Sequence, residues 1–245
     1  MDTGKEIIEF TKNVLGNVTK IDDVIDKALE PIKDYTDTIG DLISPIKSFI
    51  AISNLKKRLT LKSFVVNYAN QLNGDYEITN EESLKLQKYF KDKKNIAYIS
   101  DIIDNAINSK SLKAAAILGA IAGRLIKEKG EFNYDYLSVI DTLRIMTDHD
   151  IDNFIVLYEY LPVIGTSHDQ TDEYRTRDFY DEENPNKIQL DRNSLELTIE
   201  KMKRTNGLTY NEGGIGQAGN SKGSFEIDNT TRELYKLIKT TQIVE

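Results

Sequence analysis

Eleven apolar residues run from Val14 to Phe49 at spacings of four and three in unbroken alternation: Val14, Val18, Ile21, Ile25, Ala28, Ile32, Tyr35, Ile39, Leu42, Ile46 and Phe49. A 3.5-residue period lays one stripe along a helix or a chain of helices. With Val14 as heptad position d, every a position is β-branched: Val18, Ile25, Ile32, Ile39 and Ile46. So regular a stripe must be buried on the chain's own core, on a second copy or partner, or on a membrane. Pro31, Gly40 and Pro45 exclude a single straight helix, and Ser44-Pro45 reads as an N-cap followed by proline at the first helical position. Pro31-Ile32-Lys33-Asp34-Tyr35 returns fourteen residues later as Pro45-Ile46-Lys47-Ser48-Phe49, so both copies present the same face. Seven acids against four lysines flank the stripe, a net of −3, the wrong sign for an anionic membrane surface. The stripe therefore reads as a jointed strap on the protein's own helical body. Ile32, Tyr35, Ile39, Ile46 and Phe49 are its candidate surface for a protein partner or a second copy.

The 245 residues suffice for one large domain, or a main domain with a small appendage, and 39% hydrophobic content supports a real core. The net charge of −8 repels phosphate backbones at long range, which argues against whole-surface nucleic-acid binding but not against a local basic patch. Without cysteine the chain has no disulfides, zinc-thiolate sites or cysteine nucleophile, and a reducing cytoplasm is the expected setting. The N-terminus carries acids through its apolar stretch and lacks a signal-peptide core. The apolar run Ala114 to Ala122 is far shorter than the ~20 residues a spanning helix needs.

Helical periodicity dominates. Helices are predicted over Thr3–Leu15, Ser53–Leu72 (with Leu55, Leu59, Phe64, Val65, Tyr68 and Leu72 on one side), Thr79–Phe90, Ile96–Ile107, Ser109–Lys129, Tyr134–Met146 and Asp150–Leu161. Ser109–Lys129 is apolar nearly all round and is read as the central buried helix. Residues 162–187 are polar and aperiodic and read as a linker. A helix over Asn193–Lys203, two short strands within Gly207–Ile227 and a helix over Thr230–Lys239 follow. The expected fold is mainly α: a multi-helix bundle over residues 1–161, whose first 52 form the jointed amphipathic region, with a small C-terminal α+β, winged-helix-like module over residues 188–245.

Helix, hairpin and helix over Leu195–Ile238 resemble the closing half of a winged-helix domain. In that reading Asn193–Arg204 is the recognition helix and Lys201, Lys203, Arg204 and Lys222 could meet DNA phosphates. Residues 192–245 nevertheless hold eight basic against seven acidic side chains, so packing or protein contact competes with DNA binding. Gly214-Ile215-Gly216-Gln217-Ala218-Gly219 matches G-x-G-x-x-G but precedes a strand where a dinucleotide fold needs a helix, so it reads as a hairpin tip. Asp148, Asp150, Asp152 and Glu159 have a calcium-loop spacing, yet Asn153 replaces the turn glycine and apolar residues fill the loop, so a capped helix is expected. His149 and His168 show no metal-ligand spacing, and Lys56-Lys57-Arg58 with Lys62 reads as a solvated helix face. Neither a nucleophile–base pair nor a metal cluster can be nominated, so no catalytic, cofactor or metal residue is assigned.

Gly74-Asp75-Tyr76-Glu77-Ile78-Thr79-Asn80-Glu81-Glu82 resembles the acidic turn that opens a helix in tellurite-resistance-type helical domains, which are linked to metal or stress response. Tyr76 interrupts the D-G-E-I order, and no metal site is carried over. The layout as a whole is similar to abortive-infection alpha-type phage-defence proteins: an N-terminal amphipathic region with Pro-Ile-Lys breaks, a helical middle and a winged-helix-like end around Gly207-Leu208. This resemblance implies a role in host–phage conflict but not a mechanism; the expected function is that of a non-enzymatic bacterial or mobile-element interaction protein acting through protein–protein contacts. The alternatives are a DNA-binding regulator using the C-terminal module and a membrane-associated abortive-infection effector, the last disfavoured by the acidic strap.

Overall fold

The computed structural model describes residues 55–72, 84, 88–128, 134–164, 173–174, 179–180, 187–211 and 224–241. The strap, with Ile32, Tyr35, Ile39, Ile46 and Phe49, lies outside them, as do His168, Lys222, the Gly214–Gly219 run and the Gly74–Glu82 turn. The described chain is mainly helical. It divides into two compact units, Met1–Phe132 with Thr241–Glu245, and Asn133–Thr240.

The first unit holds α1 (Leu55–Gln71), α2 (Lys93–Ile107) and α3 (Leu112–Glu128). Asp92 caps α2 by accepting from Lys94 N–H at 2.8 Å, which starts the helix three residues before the predicted Ile96. Ser111 caps α3, its hydroxyl accepting from Ala114 N–H at 2.8 Å. Twelve of the α3 residues between Ala114 and Ile126 are buried, as expected of a central helix. Its partner is α1. The contacts Ser63 to Leu112, Phe64 to Gly119 and Tyr68 to Gly123 ascend together along both helices, so α1 and α3 run parallel.

The glycines set how closely these helices approach. A Cβ on Gly119 would lie 2.1 Å from the Phe64 carbonyl oxygen, and one on Gly123 would lie 2.7 Å from both Tyr68 O and Gln71 Cβ. The missing side chains let backbone meet backbone. Polar residues of α1 go under with the apolar ones: Thr60, Ser63 and Asn67 are buried, Ser63 Oγ donating to Leu112 O and Asn67 Nδ2 to Ser63 O. Leu59, predicted on the buried side, is 43% exposed. It lies in register with Lys62, Val66 and Asn70, the half-buried to exposed stripe of this helix.

The second unit holds α4 (Tyr134–Ile145), α5 (Asp148–Ile164), β1 (Glu173–Tyr174), α6 (Arg192–Arg204), β2 (Thr209–Asn211), β3 (Ser224–Glu226) and α7 (Asn229–Thr240). Two sequence expectations change here. α4 and α5, assigned above to the N-terminal bundle, belong to this unit, where α4 packs on α7 and α6 packs on α5. The span read as a linker, 162–187, contributes structure as well. α5 continues through Pro162 to Ile164, β1 pairs with β3, and Phe179 is buried edge-on to Tyr160 at 5.6 Å. A two-residue strand is too short to show a period, which is why the sequence hides it.

The sheet is antiparallel in the order β1-β3-β2, with Glu173 and Thr209 on either side of Glu226, and Tyr174 and Tyr210 on either side of Phe225. Asp228 caps α7 by accepting from the Thr231 amide at 2.8 Å and also accepts from the Thr209 hydroxyl at 2.7 Å, tying β2 to the helix start. At the far end of α7, Tyr235 stacks on Tyr158 at 4.0 Å, and Glu159 of α5 receives Tyr235 Oη and Lys239 Nζ. The hydrogen bond from Lys239, with that from Tyr235, holds the Glu159 carboxyl below its ordinary range.

Candidate functional site

The helix nominated from sequence for partner contact is α6. Asp191 starts it, its carboxylate accepting from Ser194 N–H at 2.8 Å, and Lys201, Lys203 and Arg204 fill its last turn. Asn206 ends it with φ of 54°, the left-handed conformation that asparagine tolerates. Gly207 N–H returns to Met202 O at 2.9 Å and Asn206 N–H to Lys203 O at 3.3 Å, satisfying carbonyls that the helix end leaves open. Gly207 is needed next to it because a Cβ there would lie 2.3 Å from Thr142 Oγ1, which is itself held by Ser138 O and Thr205 Oγ1.

The inner face of α6 is Leu195, Thr198, Ile199 and Met202, all buried. A polar network sews this face to the start of α5. Thr147 and Asp150 form a reciprocal cap: the Asp150 carboxylate accepts from Thr147 N–H and hydroxyl, and the Thr147 hydroxyl accepts from Asp150 N–H. Asp150 also accepts from the Thr198 hydroxyl at 3.1 Å and from Lys201 Nζ at 2.5 Å. Burial pushes the Asp150 carboxyl up, but the bonds from Lys201 and Thr147 and the lysine's charge outweigh it and hold the group below its ordinary value. Asn153 donates to Ser194 and Thr198, and His149 Nε2 shares a 2.7 Å hydrogen bond with Ser194 Oγ.

This geometry accounts for the calcium-like spacing. Asp148, Asp150 and Asp152 lie along a helix, and Asp150 faces the cap and Lys201 rather than a common centre. Among the described residues no group of three or more His, Asp or Glu side chains is placed to hold a metal ion.

The outer face of α6 is a single stripe, Asn193, Leu197, Glu200 and Arg204, all exposed. Leu197 stands at its centre, 63% exposed. Beside it Arg192 Nε pairs with Glu196 Oε1 at 2.8 Å, and Lys203 Nζ lies 3.9 Å from Glu200 Oε1. The Arg192 guanidinium also sits 5.9 Å above the Tyr180 ring. Burial, with the Asp191 and Glu196 charges, pushes the Tyr180 phenol up to about 12.

Of the four residues nominated for nucleic acid, Lys201 is ion-paired to Asp150, Lys203 lies beside Glu200, Arg204 is exposed and Lys222 lies outside the described residues. Leu197 was not singled out from sequence. Its signal was available: it falls out of register with Leu195, Thr198, Ile199 and Met202, on the face that those spacings leave to solvent. Comparison of the chain with protein-family models, with curated proteins and with solved structures finds no match.

Proposed function

We propose that this chain works through protein–protein contact rather than catalysis, and that the outward face of α6 is one such contact surface. The observation that carries this reading is Leu197, 63% exposed on a helix whose other face is packed. An exposed leucine on a structured helix gains by entering an apolar pocket. Around it Glu196 and Glu200 lie beside Arg192 and Lys203, so the face presents nearly balanced charge. Two carboxylates on the helix nearest a phosphate backbone oppose DNA binding, while alternating charges at the rim of an apolar anchor suit a protein partner.

The order of elements supports a winged-helix-like reading of this unit. α6 is followed by the β2–β3 hairpin, β1 pairs on the open side of β3, and α4 and α5 precede. In that reading the module spans 133–240. The strap residues Ile32, Tyr35, Ile39, Ile46 and Phe49 are a second proposed contact. The layout resemblance to abortive-infection alpha-type proteins makes phage defence, in a reducing cytoplasm, the proposed setting. DNA contact through Arg204, Lys203 and Lys222 is the alternative, favoured only by the basic last turn of α6.

The test compares the full chain with Leu197→Asp and with the Lys203→Gln, Arg204→Gln double variant. Light-scattering mass and capture of a protein partner should both be lost or reduced in Leu197→Asp and unchanged in the double variant. A low-salt shift of duplex DNA that the double variant abolishes and Leu197→Asp leaves intact would sink this reading in favour of the DNA one.

A further inference from the structure

The first unit carries a second charged surface. Lys88, Lys91, Lys93 and Lys94 fall within seven residues and all four are exposed. They surround a fixed corner. Tyr89 and Phe90 between them are buried and meet edge-on at 5.2 Å, and Asn95 Nδ2 donates to Tyr89 O at 2.9 Å. The amides of Lys91 and Asp92 bond back to the carbonyls of Lys88 and Tyr89. The one acid in the corner, Asp92, is turned to its own backbone, capping Lys94 N–H. Four ammonium groups are thus displayed from a rigid turn on a chain of net charge −8.

We propose that this corner is a contact for an anionic lipid surface. Charge complementarity selects a polyanion, and the side-chain types select among polyanions. The described residues of the corner include no arginine, and both of its aromatic rings are buried. Guanidinium forks on phosphates and exposed rings that stack on bases are therefore lacking there. Lysines with flexible apolar stems suit a headgroup layer, where stems lie along acyl chains and ammonium groups stay at phosphate level. Leu84, helical and four residues before Lys88, is 64% exposed and supplies an apolar foot. No helix among the described residues is long and apolar enough to cross a membrane, so the contact is peripheral.

Flotation of the full chain with vesicles tests this. It should bind phosphatidylcholine–phosphatidylserine vesicles at low salt, bind pure phosphatidylcholine vesicles far less, and be released at high salt. Replacing Lys88, Lys91, Lys93 and Lys94 by glutamine should lower the partition coefficient on the order of 1,000-fold, since each lysine near such a surface contributes roughly 1 kcal/mol and every 1.4 kcal/mol is about tenfold. Lys93→Gln with Lys94→Gln, both on the surface of α2, should give about a 30-fold loss with an unchanged circular dichroism spectrum. Absence of low-salt binding to the anionic vesicles overturns the proposal, as does binding that the spectrally native variants retain. If duplex DNA or RNA is held more tightly than vesicles at equal salt and is released by the same substitutions, the corner belongs to nucleic acid and the lipid assignment is wrong.

Discussion

Gly119→Ala isolates the backbone contact on which the first unit is built. The new Cβ would lie 2.1 Å from Phe64 O, 2.9 Å from Phe64 C and 3.0 Å from Phe64 Cα. All three are backbone atoms of α1, so no rotamer change relieves them. α1 must move off α3 by about 1 Å to restore ordinary contact, a gap that forfeits a quarter to a half of the dispersion energy where the helices met. Overpacking of this kind costs roughly 1–3 kcal/mol, and the backbone nature of the clash places this site near the top of that range. Alanine returns about 1 kcal/mol of helix propensity. The net expectation is a loss of about 2 kcal/mol. Gly123→Ala is the internal comparison. Its Cβ would stand 2.7 Å from Tyr68 O and from the Gln71 side chain, needing about half the displacement, so propensity cancels most of the loss and the net effect is under about 1 kcal/mol. Urea unfolding followed by circular dichroism measures both. The reasoning is refuted if Gly119→Ala is as stable as the parent, or if Gly123→Ala is the more damaging of the two.

Three further outcomes follow from the second unit. Asp150→Ala removes the carboxylate half of the reciprocal cap of α5 and leaves Lys201 without its acceptor, and should cost about 1–3 kcal/mol in urea unfolding. Because the folded Asp150 carboxyl lies below its unfolded value, its contribution is complete above the unfolded value and disappears as pH falls through the folded one; Asp150→Asn should flatten that acid limb, and an unchanged limb would refute the pairing. Tyr180, held up to about 12, should be missing from the ordinary phenolate transition near pH 10 in an alkaline absorbance titration, the difference from Tyr180→Phe appearing only toward 12, and the stability it lends should fall between those two values. Asn206→Val at φ of 54° should destabilise by about 1–2 kcal/mol and Asn206→Gly should not, with thermal unfolding as the readout.

What could be read from sequence divides along physical lines. α3 and α6 were legible because burial follows composition and period: α3 is apolar all round, and α6 repeats its core residues at three and four. The α1 surface was only half legible. Its buried set includes Thr60, Ser63 and Asn67, which no hydrophobic count would choose, because the glycines on α3 bring the helices close enough for polar groups to bond across or along the contact. β1 was invisible since two residues carry no pattern, and its pairing with β3 depends on a partner some fifty residues away. The division before Asn133 has a related reason: the elements that hold α4 and α5 are α7 and α6, which begin well after them in the sequence.

The basic residues show why a charge count along a helix does not predict its partner. Lys201, Lys203 and Arg204 are neighbours in sequence and point toward one electrostatic role. In space they separate. Lys201 turns inward to Asp150 and holds α6 on α5, Lys203 lies against Glu200, and Arg204 alone sits on the exposed stripe. Lys88, Lys91, Lys93 and Lys94, interrupted by two aromatic residues and an aspartate, look more diluted as a string. Yet the aromatics are withdrawn into the core, and one exposed aspartate, capping Lys94 N–H, stands against four exposed lysines within seven residues. Long-range attraction depends on net charge at the surface rather than on the number of lysines in a segment. By that measure, among the described residues, the corner before α2 is better matched to a polyanion than the surface of α6 is.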